Sequence, residues 1–184
     1  MEGLTILLEL LKKGSVDFEV DAPGVEVLQH KSVVLDRVLL GIEAIKRGAD
    51  PSSVARILDW RSFERFVARA FETMEYDVNE DFRFKLGKTR RQVDVVATKK
   101  DFAVAIDCKH WTKTKSFSSA VHSHVQRCSL LALCLKKSVL PVIVTLGSTL
   151  VLDGVPIVAS YKLRDFALEL PYRLEEFTML HPIG

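Results

Sequence analysis

The chain has 184 residues, 48% hydrophobic and 27% charged, the balance of a soluble globular domain rather than of a disordered or fibrous chain. Its 26 Lys and Arg against 24 Asp and Glu leave a formal charge of +2, which excludes a uniformly basic coat or an acidic tail and confines any electrostatic footprint to a local patch. Three cysteines, Cys108, Cys128 and Cys134, are too few and too irregularly spaced for a disulfide framework or a CxxC pair, so a reducing, cytoplasmic setting is expected. The most apolar stretch, Leu130 to Leu152, is broken by Lys136-Lys137 and Pro141, and the N-terminus lacks a signal-peptide pattern. Neither a membrane span nor secretion is expected.

In chain order, Leu4 to Leu11 reads as a short apolar helix stopped near Gly14. Ser32 to Arg47 reads as a second, with Val34, Val38, Ile42 and Ile45 on one face and Gly48 as its stop. Asp50 then serves as an N-cap with Pro51 in the first turn, opening a short helix that carries Val54, Ile57 and Leu58. These pieces define a small N-terminal helical module, residues 1–58. From about Ser62 to Tyr76 a longer helix repeats Phe63, Phe66, Val67, Ala70, Phe71 and Met74 at three and four residues, which makes that face core.

After it the hydrophobic period changes to two. Strands are expected at about Val78 to Lys85, Gln92 to Thr98 and Phe102 to Lys109, separated by the turns Gly87-Lys88 and Lys99-Lys100-Asp101, and three consecutive strands suggest an antiparallel meander. Ser118 to Lys136 returns to a helical period through Val121, Val125, Cys128, Leu131 and Leu135. Val139 to Leu146 is a continuous apolar strand of the kind covered on both faces. Val155 to Ala159 is a further strand and Lys162 to Leu170 a closing helix. The result is an α/β arrangement, a mixed sheet flanked by helices over residues 59–184.

Alternation in Phe102 to Lys109 puts Asp107 and Lys109 on one face. In the preceding strand Asp94 interrupts a β-branched run, Val93 to Val96, and a charge so placed is costly unless paired or bound to a cation. The intervening turn makes the strands neighbours, with Asp94 and Asp107 near the same end. Two carboxylates so placed repel each other and invite a divalent metal. Without further context, the same acids suit an edge-strand ion-pair network.

Ser62-Phe63-Glu64 opening a helix, Tyr76-Asp77-Val78 closing it, Gln92-Val93-Asp94, and Ile106-Asp107-Cys108-Lys109-His110-Trp111 resemble the PD-(D/E)xK nuclease superfamily. The nearest likeness is to its Mrr-type restriction endonuclease and archaeal Holliday-junction resolvase branches. The resemblance runs from about Trp60 to Leu170, with Val93 where the family's name has proline. It implies a restriction-endonuclease-like fold and a metal-dependent DNA endonuclease of restriction-like or repair-like duty. It further implies that Asp94 and Asp107 bind Mg²⁺ or Mn²⁺, that Glu64 completes the cluster directly or through water, and that Cys108 is a metal-contacting position. Lys109 orients or helps deprotonate the attacking water, and Gln126, on the following helix, is the candidate polar contributor.

Local charge agrees with a polyanion. From Asp81 to Arg127 eleven Lys and Arg face four acids, a balance of +7 in a chain whose remainder is −5. Lys88, Arg90 and Arg91, with Lys113 and Lys115 after the motif strand, are the expected phosphate contacts, positioning DNA without reading its sequence. Trp111 is placed either to stack on a base or to cover the sheet edge. Other readings remain at this stage. One is an inactive nuclease-fold module that binds DNA or protein. Another is a subunit of a homodimer or larger assembly docked through the N-terminal helices. A zinc pair of His124 and Cys128 competes with a core role for Cys128. No phosphate loop or dinucleotide fingerprint is present.

Overall fold

The computed structural model describes residues 2–13, 15–17, 32–34, 36–110 and 117–182. Helix α1 (Glu2–Lys13) is followed by strands β1 (Ser15–Asp17) and β2 (Ser32–Val34), which pair antiparallel, and then by α2 (Arg37–Lys46), α3 (Pro51–Ile57) and α4 (Trp60–Glu72). The single helix expected over Ser32 to Arg47 is thus a strand and a helix. Asp36 makes the break, its carboxylate accepting from the N–H groups of Val38 and Leu39. Asp50 caps α3 as expected, and Asp59 caps α4 through Ser62 N–H at 2.9 Å, so α4 starts at Trp60, two residues before the apolar stripe alone suggests.

Strands β3 (Asp77–Leu86), β4 (Thr89–Thr98) and β5 (Phe102–Lys109) form the expected meander, with Gly87 at φ +58 in the hairpin turn. Helix α5 (Phe117–Leu135) crosses over to β6 (Ser138–Thr145), parallel to β5. Then β7 (Leu150–Leu152), β8 (Val155–Ala159) and α6 (Leu163–Glu169) close the chain, and the sheet order is β3-β4-β5-β6-β8-β7. Pro141 is tolerated because its missing N–H lies on the β8 side of β6, where pairing starts only at Ile143. The short β7 has too few residues to show a period and is absent from the sequence reading.

Two layers cover the sheet. On one face a continuous buried cluster joins α4, through Phe63, Val67 and Phe71, to Val95, Val104 and Ile106. The same cluster takes in Leu11 of α1, Val38 of α2 and Val54 and Leu58 at α3. On the other face α5 buries Cys128, Leu131 and Ala132 against Val96, Ala103 and Ala105. Among the described residues, no helix is long and apolar enough to cross a membrane.

Candidate active site at the splayed strand ends

Regular strands alternate faces, so residues three apart point in opposite directions. Val93 and Val96 nevertheless share the α5-side cluster, while Val95 and Ala97 belong to the α4 side. The phase slips at Asp94. Opposite it Asp81 has φ +49, and regular pairing passes from Glu80↔Val95 to Phe82↔Val93 around both. Each strand spends one residue on the slip, so the register survives while the side chains change face.

The β4–β5 ladder ends at Val95↔Ile106, just before the position where Asp94 and Asp107 face each other. Beyond it the Cys108 N–H donates 2.8 Å to Asp94 Oδ2 rather than to a backbone carbonyl. A carboxylate therefore stands where the ladder stops. The β5–β6 ladder continues through Lys109↔Thr145 and keeps the end of β5 anchored.

Asp107 lies on the α5 face, 3% exposed, with Lys109 Nζ 2.7 Å from Oδ2 and Arg127 Nη1 3.4 Å from Oδ1. The lysine ammonium is thus the charged partner of Oδ2, and among the described residues no other group donates to that buried oxygen. Burial pushes Asp94 above the usual carboxylate range; the Cys108 N–H pulls it back, and repulsion from Asp107 raises it again. Burial likewise drives the Cys108 thiol well up, with Asp94 adding to it, so the thiol is neutral and packs toward the α4 side.

Glu64 approaches this end of the sheet from α4. Its carboxyl is raised to about 7, first by desolvation and then by the charges of Asp94, Asp81 and Glu80. A carboxyl raised in this way carries no penalty below its unfolded value of 4.5, and its ionisation increasingly destabilises the fold as the pH climbs to about 7. Glu64→Gln should therefore raise thermal stability in EDTA near neutral-to-alkaline pH by about 1 kcal/mol, allowing for solvent screening, or about 2–4 °C. It should have no effect in acid. Melting curves across pH check this, and an equal gain at all pH values contradicts it.

The expected residues fall into three groups. Asp94, Asp107 and Lys109 are together at the splayed end, with Glu64 electrostatically coupled to Asp94. No three His, Cys, Asp or Glu side chains among the described residues form a ready-made metal cluster, so the expected cage of Glu64, Asp94 and Asp107 is not closed. Gln126 is exposed and hydrogen-bonded to His122 Nε2 at 2.9 Å, rather than facing the acids. Its neighbour Arg127 takes that position, reaching both Asp107 and, at 3.3 Å, the carbonyl of Gln92. The signal lay in spacing. His124, Cys128 and Leu131 are the buried stripe of α5, and Arg127 is three residues past His124, flanking that stripe.

His124 itself is fully buried, and burial pushes its pKa down. Its Nε2–H donates 2.9 Å to the Ala105 carbonyl, and Cys128 Sγ lies 3.8 Å from Nδ1. The pair is a core contact that docks α5 on β5. His110, next to Lys109, is held by the Ala55 carbonyl at 3.0 Å and by the edge of Phe63 at 5.5 Å, fastening the end of β5 to α3 and α4.

Lys88, Arg90 and Arg91 are exposed on the β3–β4 hairpin. A concavity of about 670 Å³ is lined by Lys85, Arg90, Arg91 and Gln92, and another of about 570 Å³ by Arg91, Ser123, Gln126 and Arg127; Arg91 belongs to both. A basic track thus runs from the hairpin toward Asp107. Trp111, Lys113 and Lys115 lie outside the described residues.

A mixed six-stranded sheet covered by helices, with a meander at one edge and a crossover helix after it, is consistent with the restriction-endonuclease-like class. Residues 55–133 match the family model described as Mrr_cat, restriction endonuclease, and over this segment the chain is similar to the restriction-endonuclease-like domains of the PD-(D/E)xK superfamily. An uncharacterized protein of Archaeoglobus fulgidus is 28% identical over 127 residues, which are 66% of this chain and 98% of that protein. Two solved structures are also similar. A protein of unknown function, AF1548, is 20% identical with a TM-score of 0.38 over 47% of each chain. VC1899 from Vibrio cholerae is 12% identical with a TM-score of 0.44, over 95% of this chain and 51% of its own. This chain therefore spans about half the length of the solved structures it matches.

Proposed function

We propose that the protein is a divalent-metal-dependent endonuclease that hydrolyses phosphodiester bonds in DNA. One observation carries the reading: Asp94 and Asp107 stand at the point where β4 and β5 part, with Lys109 in contact with Asp107. The donor set suits Mg²⁺ or Mn²⁺, which bind through one or two carboxylates and fill their remaining positions with water and substrate phosphate. Asp107 Oδ2 is a buried oxygen whose partner among the described residues is the Lys109 ammonium, a charge that a cation could replace, and Asp94 is a carboxylate that desolvation and repulsion leave in need of positive charge. The preference for hard oxygen donors leaves the neutral Cys108 thiol out of the set. The N–H of the same residue points toward β4, where it donates to Asp94 Oδ2.

In this reading Asp94 and Asp107 hold the ion, and Glu64 adds charge from α4. Bound there, the metal supplies charge neutralisation to the scissile phosphate and acidifies a water. Lys109 exchanges its contact with Asp107 for the attacking water or a phosphate oxygen, offering three donors on a short tether. Arg127 keeps Asp107 oriented during that exchange. Lys88, Arg90 and Arg91 neutralise flanking phosphates, and the three free cysteines accord with a reducing compartment.

Incubation with supercoiled and linear DNA in Mg²⁺, Mn²⁺ or EDTA tests the proposal. Metal-dependent products are expected, and no cleavage of any DNA by the purified chain contradicts it. The basic track has its own test. Replacing Arg90 and Arg91 together by alanine should weaken DNA binding about tenfold irrespective of sequence and reduce the salt slope by about two. An unchanged slope would remove both residues from the phosphate path.

A further inference from the structure

At the start of α4, Trp60 is 57% exposed, an unusual position for the largest apolar side chain. It lies three residues before Phe63 and seven before Val67, on the stripe that buries α4, yet nothing in the core covers it. Glu64 is one turn further along the same face. Both line a concavity of about 410 Å³ together with Arg61, Arg65, Arg83, Glu80, Asp81 and Gln92, in which Arg83 is paired with Asp81 at 2.8 Å. The Arg61 guanidinium sits over the indole, 5.3 Å from its centroid, at cation–π range.

A largely exposed indole, with Arg61 against it and Arg65 on the same rim, suits a ligand that is flat and apolar in one part and anionic in another. A nucleotide has that chemistry: its base stacks on indole and its phosphate pairs with guanidinium. Inside a duplex each base is already stacked on both sides and presents only its edges, so it offers no face to Trp60. An unpaired base does.

We infer that Trp60 is a stacking platform for an unpaired nucleotide, and that the protein acts on DNA carrying single-stranded nucleotides next to a duplex. The inference rests on the nuclease reading only for the meaning of the acids one helical turn away. The stacking itself is a binding property. Arg61 lies against the indole, the base takes the open part of the ring, and Arg61 and Arg65 neutralise the adjoining phosphates, which brings the backbone of that nucleotide toward Glu64 and Asp94.

The test is fluorescence anisotropy of labelled DNA in EDTA, where cleavage does not intervene, using a blunt duplex and the same duplex with a single-stranded overhang. Trp60→Ala should weaken overhang binding about tenfold and leave blunt-duplex binding within about twofold, and Trp60→Phe should restore most of the loss. As a second measurement, Trp111→Phe leaves Trp60 as the one tryptophan of the chain, and its emission should be quenched by the overhang DNA and not by the blunt duplex. Equal effects of Trp60→Ala on both DNAs, or none on either, overturn the inference. If the wild type binds neither DNA, this inference and the nuclease reading fall together. If the Trp60 effect holds while Asp107→Ala leaves cleavage unchanged, the nuclease reading alone falls.

Discussion

Asp94→Asn is expected to lower DNA cleavage by about 10³-fold or more while leaving the fold and DNA binding nearly intact. The asparagine keeps an oxygen that can accept from Cys108 N–H, so the geometry where β4 and β5 part survives, and only the negative charge is lost. Asp94→Ala removes both. It leaves the Cys108 N–H without its acceptor and should add a stability cost of about 1–3 kcal/mol to the same loss of cleavage. Asp107→Ala is expected to abolish cleavage as well, and to free Lys109 and Arg127 from their shared counter-charge, so DNA binding should hold or tighten slightly. Single-turnover cleavage, melting curves and binding in EDTA separate these contributions. If Asp94→Asn cleaves like the wild type, the carboxylate is a structural acceptor and the metal-holding role assigned to it is wrong.

Val54→Asp is expected to destabilise the whole chain by about 3 kcal/mol or more, because it places an unpaired charge in a fully buried position. We propose that residues 1–58 fold with the rest as one cooperative unit rather than as an appended module. The buried cluster runs without a break from Leu11, Val38 and Val54 into Phe63 and Phe71. Arg37 joins the same pieces by polar contacts, donating to the carbonyls of Leu11 at 3.1 Å and Ile57 at 2.7 Å and pairing with Asp59 at 3.2 Å. Close packing has a visible cost in sequence: at Gly41 a Cβ would meet Val54 Cγ1 at 2.8 Å. Through Ala55 and Phe63 this unit also grips His110, the residue after Lys109. Calorimetry of Val54→Asp should show one transition, displaced downward for the entire molecule. A split thermogram, with the nuclease segment melting at its original temperature, would restore an independent N-terminal module.

What could be read from the sequence was what burial dictates. The stripe Phe63, Phe66, Val67 and Phe71 and the period-two run through Phe102 to Lys109 both face a core, and a buried face forces its period on the chain. Alternation alone placed Asp107 and Lys109 on one side. At Asp94 it says nothing of the detail, because the phase slip at Asp81 and Asp94 replaces backbone pairing by a side-chain acceptor, and no hydrophobic pattern reports such an exchange. Arg127 was missed for a different reason. Gln126 comes from the family resemblance and not from the helical period, whereas the buried stripe of α5 runs through His124, Cys128 and Leu131, a stripe that Arg127 flanks. Ser32–Val34 was absorbed into a helix because three β-branched or small residues carry no period of their own. Trp60 was passed over because it sits at a helix start, where the stripe had not yet established which face is inward.

The most direct measurement is diffraction from crystals grown with Mn²⁺ and a short DNA whose scissile phosphate resists hydrolysis. An anomalous peak bound by Asp94 and Asp107, with Lys109 turned from Asp107 toward the phosphate, is the expected result. Manganese bound elsewhere, with the Lys109–Asp107–Arg127 contacts unchanged and DNA across a different face, would contradict the account.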